Sequence, residues 1–243
     1  MRKAVLIGMT AAAVASAGCG RSHNDEDAGP VVERSYKVGD FNRVEVAGPF
    51  EVTIHTGAAP SVSAKGNQKL IERLEVEVRG DKLVVHPKER HGLFNFGWGT
   101  SGQGSLAITV PNLSAATLAG SGGITIDKVQ GDRFEGQIAG SGDLRVDSVD
   151  VGALQLGIAG SGNAQAISGK AASAKYEIMG SGGLDASGIT SETVKVTVAG
   201  AGEVKAHATK AADVNIMGSG DVTITGGAKC DISKAGSGDV HCS

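Results

Sequence analysis

The tripeptide Gly-Ser-Gly returns at an almost fixed interval through the second half of this 243-residue chain. Successive copies begin 20 residues apart and, in the last two steps, 18 residues apart, and one copy has Ala201 in place of serine. So regular a period indicates one small unit stacked on copies of itself, because a unit of about 20 residues cannot bury its apolar face alone. The complete copies are Gly120-Ser121-Gly122, Gly140-Ser141-Gly142, Gly160-Ser161-Gly162, Gly180-Ser181-Gly182, Gly218-Ser219-Gly220 and Gly236-Ser237-Gly238.

Apolar residues keep constant offsets from each tripeptide. Aliphatic residues stand two positions before the first glycine, with Lys234 as the exception, and apolar residues stand four and six positions after it. This period-two alternation on both sides of a glycine turn describes short strands joined by a corner. The sequence therefore predicts an all-β fold, a parallel β-helix or solenoid with coils of about 20 residues. No proline follows Pro111, as expected where every backbone N–H serves the ladder between coils.

The glycines and serines of the tripeptide have different predicted roles. A corner between strands needs backbone conformations with φ > 0, and stacked corners bring neighbouring chains close, so glycine suits both needs. The intervening serines are predicted to stack as a ladder of hydrogen-bonded hydroxyls, with direct contact to a ligand as the alternative.

The region before the repeats is less regular. Short alternating runs between Val31 and Pro87 indicate half-buried strands, and residues 67–73 fit one or two helical turns. A glycine-rich loop follows, and it holds three of the eight aromatic residues, Phe94, Phe96 and Trp98. The prediction is one β-helix domain over residues 35–243, with irregular coils over 35–110 and the Gly-Ser-Gly repeats over 111–243.

The N-terminus has the pattern of an export signal. Arg2 and Lys3 precede a short apolar stretch and a run of small residues that ends at Cys19. Residues 1–18 are predicted to be a signal peptide and residues 19–34 a flexible tether. Two cleavage chemistries remain open. One is ordinary signal-peptidase cleavage, and the other is lipidation of Cys19, although Ser16 stands where a lipobox usually has leucine.

The two remaining cysteines, Cys230 and Cys242, lie six residues on either side of Gly236. In an oxidising envelope compartment they are expected to form a disulfide that staples the final coil, with two buried free thiols as the alternative. No second Cys/His pair stands at zinc-ligand spacing, and the acidic residues after the tripeptides form an interrupted column, so neither zinc nor calcium is expected. No cofactor is expected either.

Charge and composition restrict the class of partner. The formal net charge is −3, and the basic residues form no stripe, which argues against nucleic-acid binding. Hydrophobic residues make up 40% of the chain, enough to bury a core.

The repeats and their opening resemble a known family. Ala139 to Leu144, Met217 to Val222, the degenerate first copy Val46 to Val52 and the ending Lys229 to Cys242 are similar to the bacterial putative auto-transporter adhesin, head GIN domain family. The resemblance covers roughly residues 41–242. It implies a right-handed parallel β-helix exposed in the periplasm or on the cell surface, and it suggests adhesion as the function.

Three function classes follow from these observations. The leading prediction is a non-catalytic binding or adhesion module of the cell envelope, lipid-anchored or periplasmic, whose partner is a glycan or an envelope protein. Phe94, Phe96 and Trp98 are the predicted contact residues, unless their rings cover the open first coil instead. The alternatives are a structural envelope lipoprotein and a β-helix carbohydrate-active enzyme, for which the scattered histidines offer no catalytic cluster. The open edge of the last coil adds a homodimer as an expectation.

Overall fold

The computed structural model describes residues 29–88 and 104–243. These residues form sixteen strands and one short helix, and all of the strands belong to one hydrogen-bonded sheet. The elements are β1 (Val31–Tyr36), β2 (Arg43–Ala47), β3 (Phe50–Thr56), β4 (Ser61–Asn67), α1 (Gln68–Glu72), β5 (Leu74–Arg79), β6 (Lys82–Pro87), β7 (Gly104–Val110), β8 (Ala115–Gly120), β9 (Gly123–Gly140), β10 (Asp143–Gly160), β11 (Asn163–Gly180), β12 (Gly183–Gly200), β13 (Glu203–Gly218), β14 (Asp221–Thr225), β15 (Lys229–Gly236) and β16 (Val240–Cys242).

The repeats wind into a parallel solenoid in which each coil lies on the next at a constant offset. Between β10 and β11, Asp143 pairs with Asn163 and Ile158 pairs with Ile178, an offset of 20 residues. The coil of β13 is two residues shorter, and two register shifts in β12, one between Ala186 and Thr190 and one between Ser191 and Thr193, together absorb the difference. The predicted fold class is confirmed, including the coil length and the N-terminal region of short strands.

Each coil has three sides. In β10 two adjacent residues face outward at 147–148 and again at 152–153, which marks two corners, and the Gly-Ser-Gly tripeptide marks the third. We call residues 143–147 and their equivalents side 1, residues 148–151 side 2 and residues 153–159 side 3. Residues at the same position in successive coils form a column.

The inward columns make a narrow core in which bulky and small residues compensate for each other. Tyr176 is fully buried in β11, where four other inward positions of the same coil are alanine: Ala164, Ala166, Ala171 and Ala174. Phe134 is likewise buried beside Gly136, where an added Cβ would lie 2.8 Å from a methyl carbon of Leu156. In these two coils a bulky ring is thus matched by small neighbours, as close packing of the core requires.

The Gly-Ser-Gly tripeptides lie at the corner between sides 3 and 1. The first glycine has a positive φ, +132° at Gly140, which side chains with a Cβ rarely adopt. The third glycine has no positive φ, but the coil beneath approaches closely, and a Cβ at Gly202 would lie 2.8 Å from the Gly182 carbonyl oxygen.

The serine column is not the predicted hydroxyl ladder. Its hydroxyls point to solvent and make no hydrogen bond to the described residues. The backbone supplies the ladder instead, because the Ser141 N–H donates to the Gly120 carbonyl at 3.0 Å and the Ser161 N–H donates to that of Gly140 at 2.9 Å. An outward side chain at a convex corner points away from the strands on either side of it, so these hydroxyls diverge into water.

The N-terminal coils do not follow the order of the chain. β2 and β3 form a coil around the corner of Gly48, whose N–H donates to the Ala119 carbonyl of the following coil. On its other side this coil pairs with β6 and β7, which come later in the sequence. Antiparallel strands then cover that end of the solenoid, with β4 on β7, β1 on β4 and β5 on β6. The described strands therefore already cover the first coil. Covering that coil was the alternative role predicted for Phe94, Phe96 and Trp98.

A disulfide and a lysine side chain link the two parts of the last coil. The predicted disulfide between Cys230 and Cys242 is present and joins β15 to β16. Lys234 follows Ile216 in an inward column, and its ammonium donates to the Gly238 carbonyl oxygen at 2.7 Å. A charged residue in this column disfavours the addition of another strand there, and dimerisation through this edge stays a prediction.

Candidate functional site

A groove runs along side 3, perpendicular to the strands. It encloses about 580 Å³ and extends from Arg133 in β9 to Asp231 in β15. Six successive coils contribute to it, which gives a length of about 24 Å at the spacing of about 4.8 Å between strands. We call this feature the lateral groove.

The size of side chains in one outward column creates the groove. In register, four successive coils place small residues at its start: Ala153, Ser173, Thr193 and Ala211. The next coil at either end places a long cation there, Arg133 before the small residues and Lys229 after them. The small residues leave the space, and the two cations close its ends.

The floor of the lateral groove is apolar and its rim is charged. Leu154, Ala174, Val194 and Ala212 lie beneath it, and the edges of these mostly buried side chains form its base. The rim is the outward column two residues after the small one, and from β10 to β15 it carries Gln155, Lys175, Lys195, Asp213 and Asp231.

Hydrogen bonds between coils hold much of this rim in place. The Arg133 guanidinium donates to Gln155 Oε1 at 2.9 Å, and the Gln155 amide donates to Glu177 Oε2 at 3.5 Å. The Lys175 ammonium also forms an ion pair with Glu177 Oε2, at 2.8 Å. This chain of contacts crosses three coils and orients one half of the rim without occupying the floor.

The rim changes sign along the solenoid. Lys175 and Lys195 make its middle basic, whereas Asp213 and Asp231 make the next two coils acidic. Lys195 and Asp213 meet at that change of sign, 3.5 Å apart. The apolar floor and the rim with both positive and negative charges together suit an extended ligand that has an apolar side and charges of both signs.

Three histidines of the described residues lie apart from the lateral groove and from each other. His55 is 3.5 Å from Asp127, His207 is 3.0 Å from the Thr225 hydroxyl, and His86 is 3.2 Å from Glu77. Within residues 29–88 and 104–243, no group of three or more His, Cys, Asp or Glu side chains could hold a metal ion.

The pKa of His86 is raised above the ordinary value for histidine. Burial alone would lower the pKa of His86. The hydrogen bonds to Glu77 and to the Pro87 carbonyl, together with the negative charges of Glu75 and Glu77, outweigh burial and raise it. This pair joins β5 to β6 near the N-terminal end, and we assign it a structural role.

The structure describes some of the site residues that were predicted from the sequence and not others. Phe94, Phe96, Trp98 and Cys19 lie outside the described residues, so the predicted contact residues and the lipidation site stay predictions. The lateral groove was missed. Its signal was present in the sequence as four small residues at one outward offset, with a long cation in the same column at either end. In the described ranges no helix is long and apolar enough to cross a membrane.

Comparison with known proteins decides the family. The family model described as "Putative auto-transporter adhesin, head GIN domain" matches residues 40–228. The chain belongs to this family. None of the curated proteins matches it. Membership in the head GIN domain family fits a non-catalytic, adhesion-like module that is exported to the cell surface or envelope.

Solved structures share the fold of this head GIN domain protein. A putative adhesin from Bacteroides fragilis is 20% identical with a TM-score of 0.76, and the match covers 88% of this chain and 97% of that one. A putative lipid binding protein from Parabacteroides distasonis is 24% identical with a TM-score of 0.70, covering 88% and 97%. A putative adhesin from the same organism is 20% identical with a TM-score of 0.67, covering 88% and 98%.

Proposed function

We propose that this protein is a non-catalytic recognition module of the cell envelope, and that it holds an extended ligand in the lateral groove. The observation that carries this proposal is the groove itself, with its apolar floor and a rim of both charges across six coils. A ligand along this path would meet the same column position every 4.8 Å or so, a spacing that suits a chain molecule better than a compact metabolite.

The ligand class that we favour is an extended segment of an envelope protein. A peptide in an extended conformation presents alternate side chains to opposite sides at about 3.3 Å per residue. It can place apolar groups on Leu154 and Val194 and meet Lys175 or Asp231 with its own charges. About seven such residues span the groove.

For a glycan we favour a second site, the loop that carries Phe94, Phe96 and Trp98, which we call the aromatic loop. The residues that line the lateral groove include no aromatic side chain, so the groove offers no ring for sugar stacking. Phe94, Phe96 and Trp98 lie in the connection between β6 and β7, and these strands stack on the two strands that flank Gly48. We propose that this loop supplies sugar or protein contacts.

A lipid is a second candidate for the groove because the floor is apolar. One solved structure of the same fold is named a putative lipid binding protein, which supports testing lipids as ligands. Lys175 and Lys195 would then face an anionic headgroup, while the acyl chain would lie over Ala174 and Leu154.

The export route is also part of the proposal. A signal peptide over residues 1–18 and a lipid on Cys19 would tether the solenoid to the membrane through residues 19–34 and leave side 3 free. Mass spectrometry of the native N-terminus tests this: an acylated Cys19 supports the tether, and an N-terminus at Gly18 or later without lipid, or an uncleaved chain, contradicts it. Membership in the head GIN domain family supports the envelope location.

The groove is tested by filling it. We expect Thr193→Trp to abolish binding to an array of envelope-protein peptides, because the indole would occupy the space above Val194. Ser187→Trp, an exposed position on a different side of the same coil, is the matched control and should bind as the wild type does. Vesicles of phosphatidylglycerol and a glycan array serve as separate probes, with Phe94, Phe96 and Trp98 changed to serine for the latter.

The outcomes separate the candidates. Peptide binding lost only in Thr193→Trp supports the groove proposal, and vesicle binding lost only in that variant moves the ligand to a lipid. Glycan binding lost only in the serine variant assigns recognition to the aromatic loop. Binding that neither variant changes contradicts both sites.

A further inference from the structure

Side 3 has a second property that does not depend on any ligand: its surface is complementary to itself. In the rim column the charges of four successive coils read Lys175, Lys195, Asp213 and Asp231, two positive and then two negative. Consider a two-fold axis that lies in the plane of contact, runs parallel to the strands and passes between Lys195 and Asp213. This axis reverses the order of the coils but keeps each column opposite itself.

Every charge in the rim column then meets its opposite. Lys195 faces Asp213 of the second copy, and Lys175 faces Asp231 of the second copy. The same contacts recur on the other side of the axis, which is the pattern of an isologous dimer. Within one chain Asp231 has no ion pair with any described residue, and the ends of Lys195 and Asp213 remain about half exposed. These groups are therefore available to a partner.

A second column on side 3 shows the same complementarity in size. The column next to the Gly-Ser-Gly corner carries Met179, Ala199, Met217 and Ala235 in the four coils concerned. Met179 and Met217 are 65% and 61% exposed, a high fraction for large apolar side chains. Under the same axis Met217 faces Ala199 of the second copy, and Met179 faces Ala235 of the second copy. Each large side chain thus meets a small one.

We propose that this protein forms a two-fold symmetric homodimer through side 3, with the side 3 residues of β11, β12, β13 and β15 (173–179, 193–199, 211–217 and 229–235) lying antiparallel in coil order against the same residues of the other copy. Four coils of seven residues give a contact of about 440 Å² per copy, or roughly 900 Å² in total, from the strand dimensions. This lies below the roughly 1,200 Å² typical of stable complexes, so we expect a weak dimer that forms only at high protein concentration.

The dimer covers the lateral groove of both copies. Ligand and second copy therefore compete for side 3, unless the ligand is thin enough to lie in the channel between two facing grooves. Local concentration at a surface decides the balance, because a weak dimer forms where copies are crowded.

Charge reversal provides the test. Lys175→Asp with Lys195→Asp turns the rim column entirely negative, and Asp213→Lys with Asp231→Lys turns it entirely positive. Each double variant alone places like charges opposite each other at all four positions, and we expect its dimer to weaken at least about a hundredfold, since such contacts cost several kcal/mol. Mixing the two variants restores an opposite charge at every position and should restore the dimer.

Sedimentation velocity over a range of protein concentrations gives the readout. The wild type should dimerise with increasing concentration, and less so at high salt. Lys170→Asp with Lys205→Asp, on sides 2 and 1, is the control and should dimerise as the wild type does. A wild type that stays monomeric, a dimer that persists in the separate variants, or a mixture that fails to associate would each overturn the proposal. The mixture also shows that both variants are folded.

Discussion

The structure shows two separate reasons for a glycine to be required in the coils: a positive φ, and the close approach of the coil beneath. Substitutions at three glycines separate these reasons and give a quantitative prediction. At Gly131 φ is +127°, but an added Cβ would have no atom within 4 Å, so Gly131→Ala introduces backbone strain alone. Gly142 has no positive φ, but a Cβ there would collide with the Gly122 carbonyl, so Gly142→Ala introduces crowding alone. Gly140→Ala introduces both, because φ is +132° and the carbonyl of Gly120 lies beneath.

The expected costs follow from these geometries. Backbone strain at a non-glycine residue costs about 1–3 kcal/mol, and overpacking costs about the same. We therefore expect a loss of about 2 kcal/mol in the free energy of unfolding for Gly131→Ala and for Gly142→Ala, and about 4 kcal/mol for Gly140→Ala. At roughly 2–4 °C per kcal/mol for a chain of this size, the last variant should melt about 8–16 °C lower.

Urea unfolding followed by circular dichroism measures these differences as shifts in the midpoint at constant slope. Ser141→Ala is the matched control, since the serine hydroxyl makes no hydrogen bond to the described residues and its removal should change stability by less than about 0.5 kcal/mol. A destabilised Ser141→Ala variant would contradict the backbone account of the corner. A Gly140→Ala variant as stable as the wild type would show that neither strain nor crowding limits this position.

Three further predictions concern the core, the last coil and pH. Tyr176→Ala should cost about 3–5 kcal/mol because its coil has only small neighbours to fill the cavity, whereas Tyr176→Phe should cost less than about 1 kcal/mol; thermal melting separates them, and equal costs would contradict the packing argument. Replacing Cys230 and Cys242 by serine should remove about 3 kcal/mol from the last coil and speed amide exchange in β15 and β16 but not in β10; uniform acceleration would mean that the coils unfold together. The pKa of His86 is raised in the folded state, so its contact with Glu77 stabilises the protein fully below about pH 6.5, the pKa of an unperturbed histidine. This stabilisation is lost as the pH rises through the folded pKa of His86. Glu77→Gln should flatten this part of the curve of stability against pH, and an unchanged curve would refute the assignment.

The fold was predictable because the repeat leaves little freedom. Alternation around a recurring glycine corner fixes which residues face inward, and Leu144, Ile158 and Ile178 are buried as predicted. The disulfide was predictable for a related reason, since Cys230 and Cys242 stand at inward columns of the same coil.

The rest depends on relations between coils that one coil does not reveal. The place of β6 and β7 beneath β2 and β3 follows from pairing across long sequence separations, which hydrophobic alternation does not specify. The lateral groove needs the outward side chains of six coils to be compared at one offset, and the inward columns alone carry no trace of it. The role of Lys234 was missed because a lysine in a core column reads as a break in the pattern until the carbonyl that it meets is known.

The interleaved N-terminal coils have a consequence for how the chain assembles. The coil of β2 and β3 cannot be enclosed until β6 and β7 have been synthesised, so this end must close as one cooperative unit across distant parts of the sequence. Each later coil needs only the finished coil before it, and it can add in the order in which the chain emerges. From this topology we expect the solenoid to grow from its N-terminal end, with a slow first step, faster addition of the equivalent coils, and the disulfide between Cys230 and Cys242 forming last.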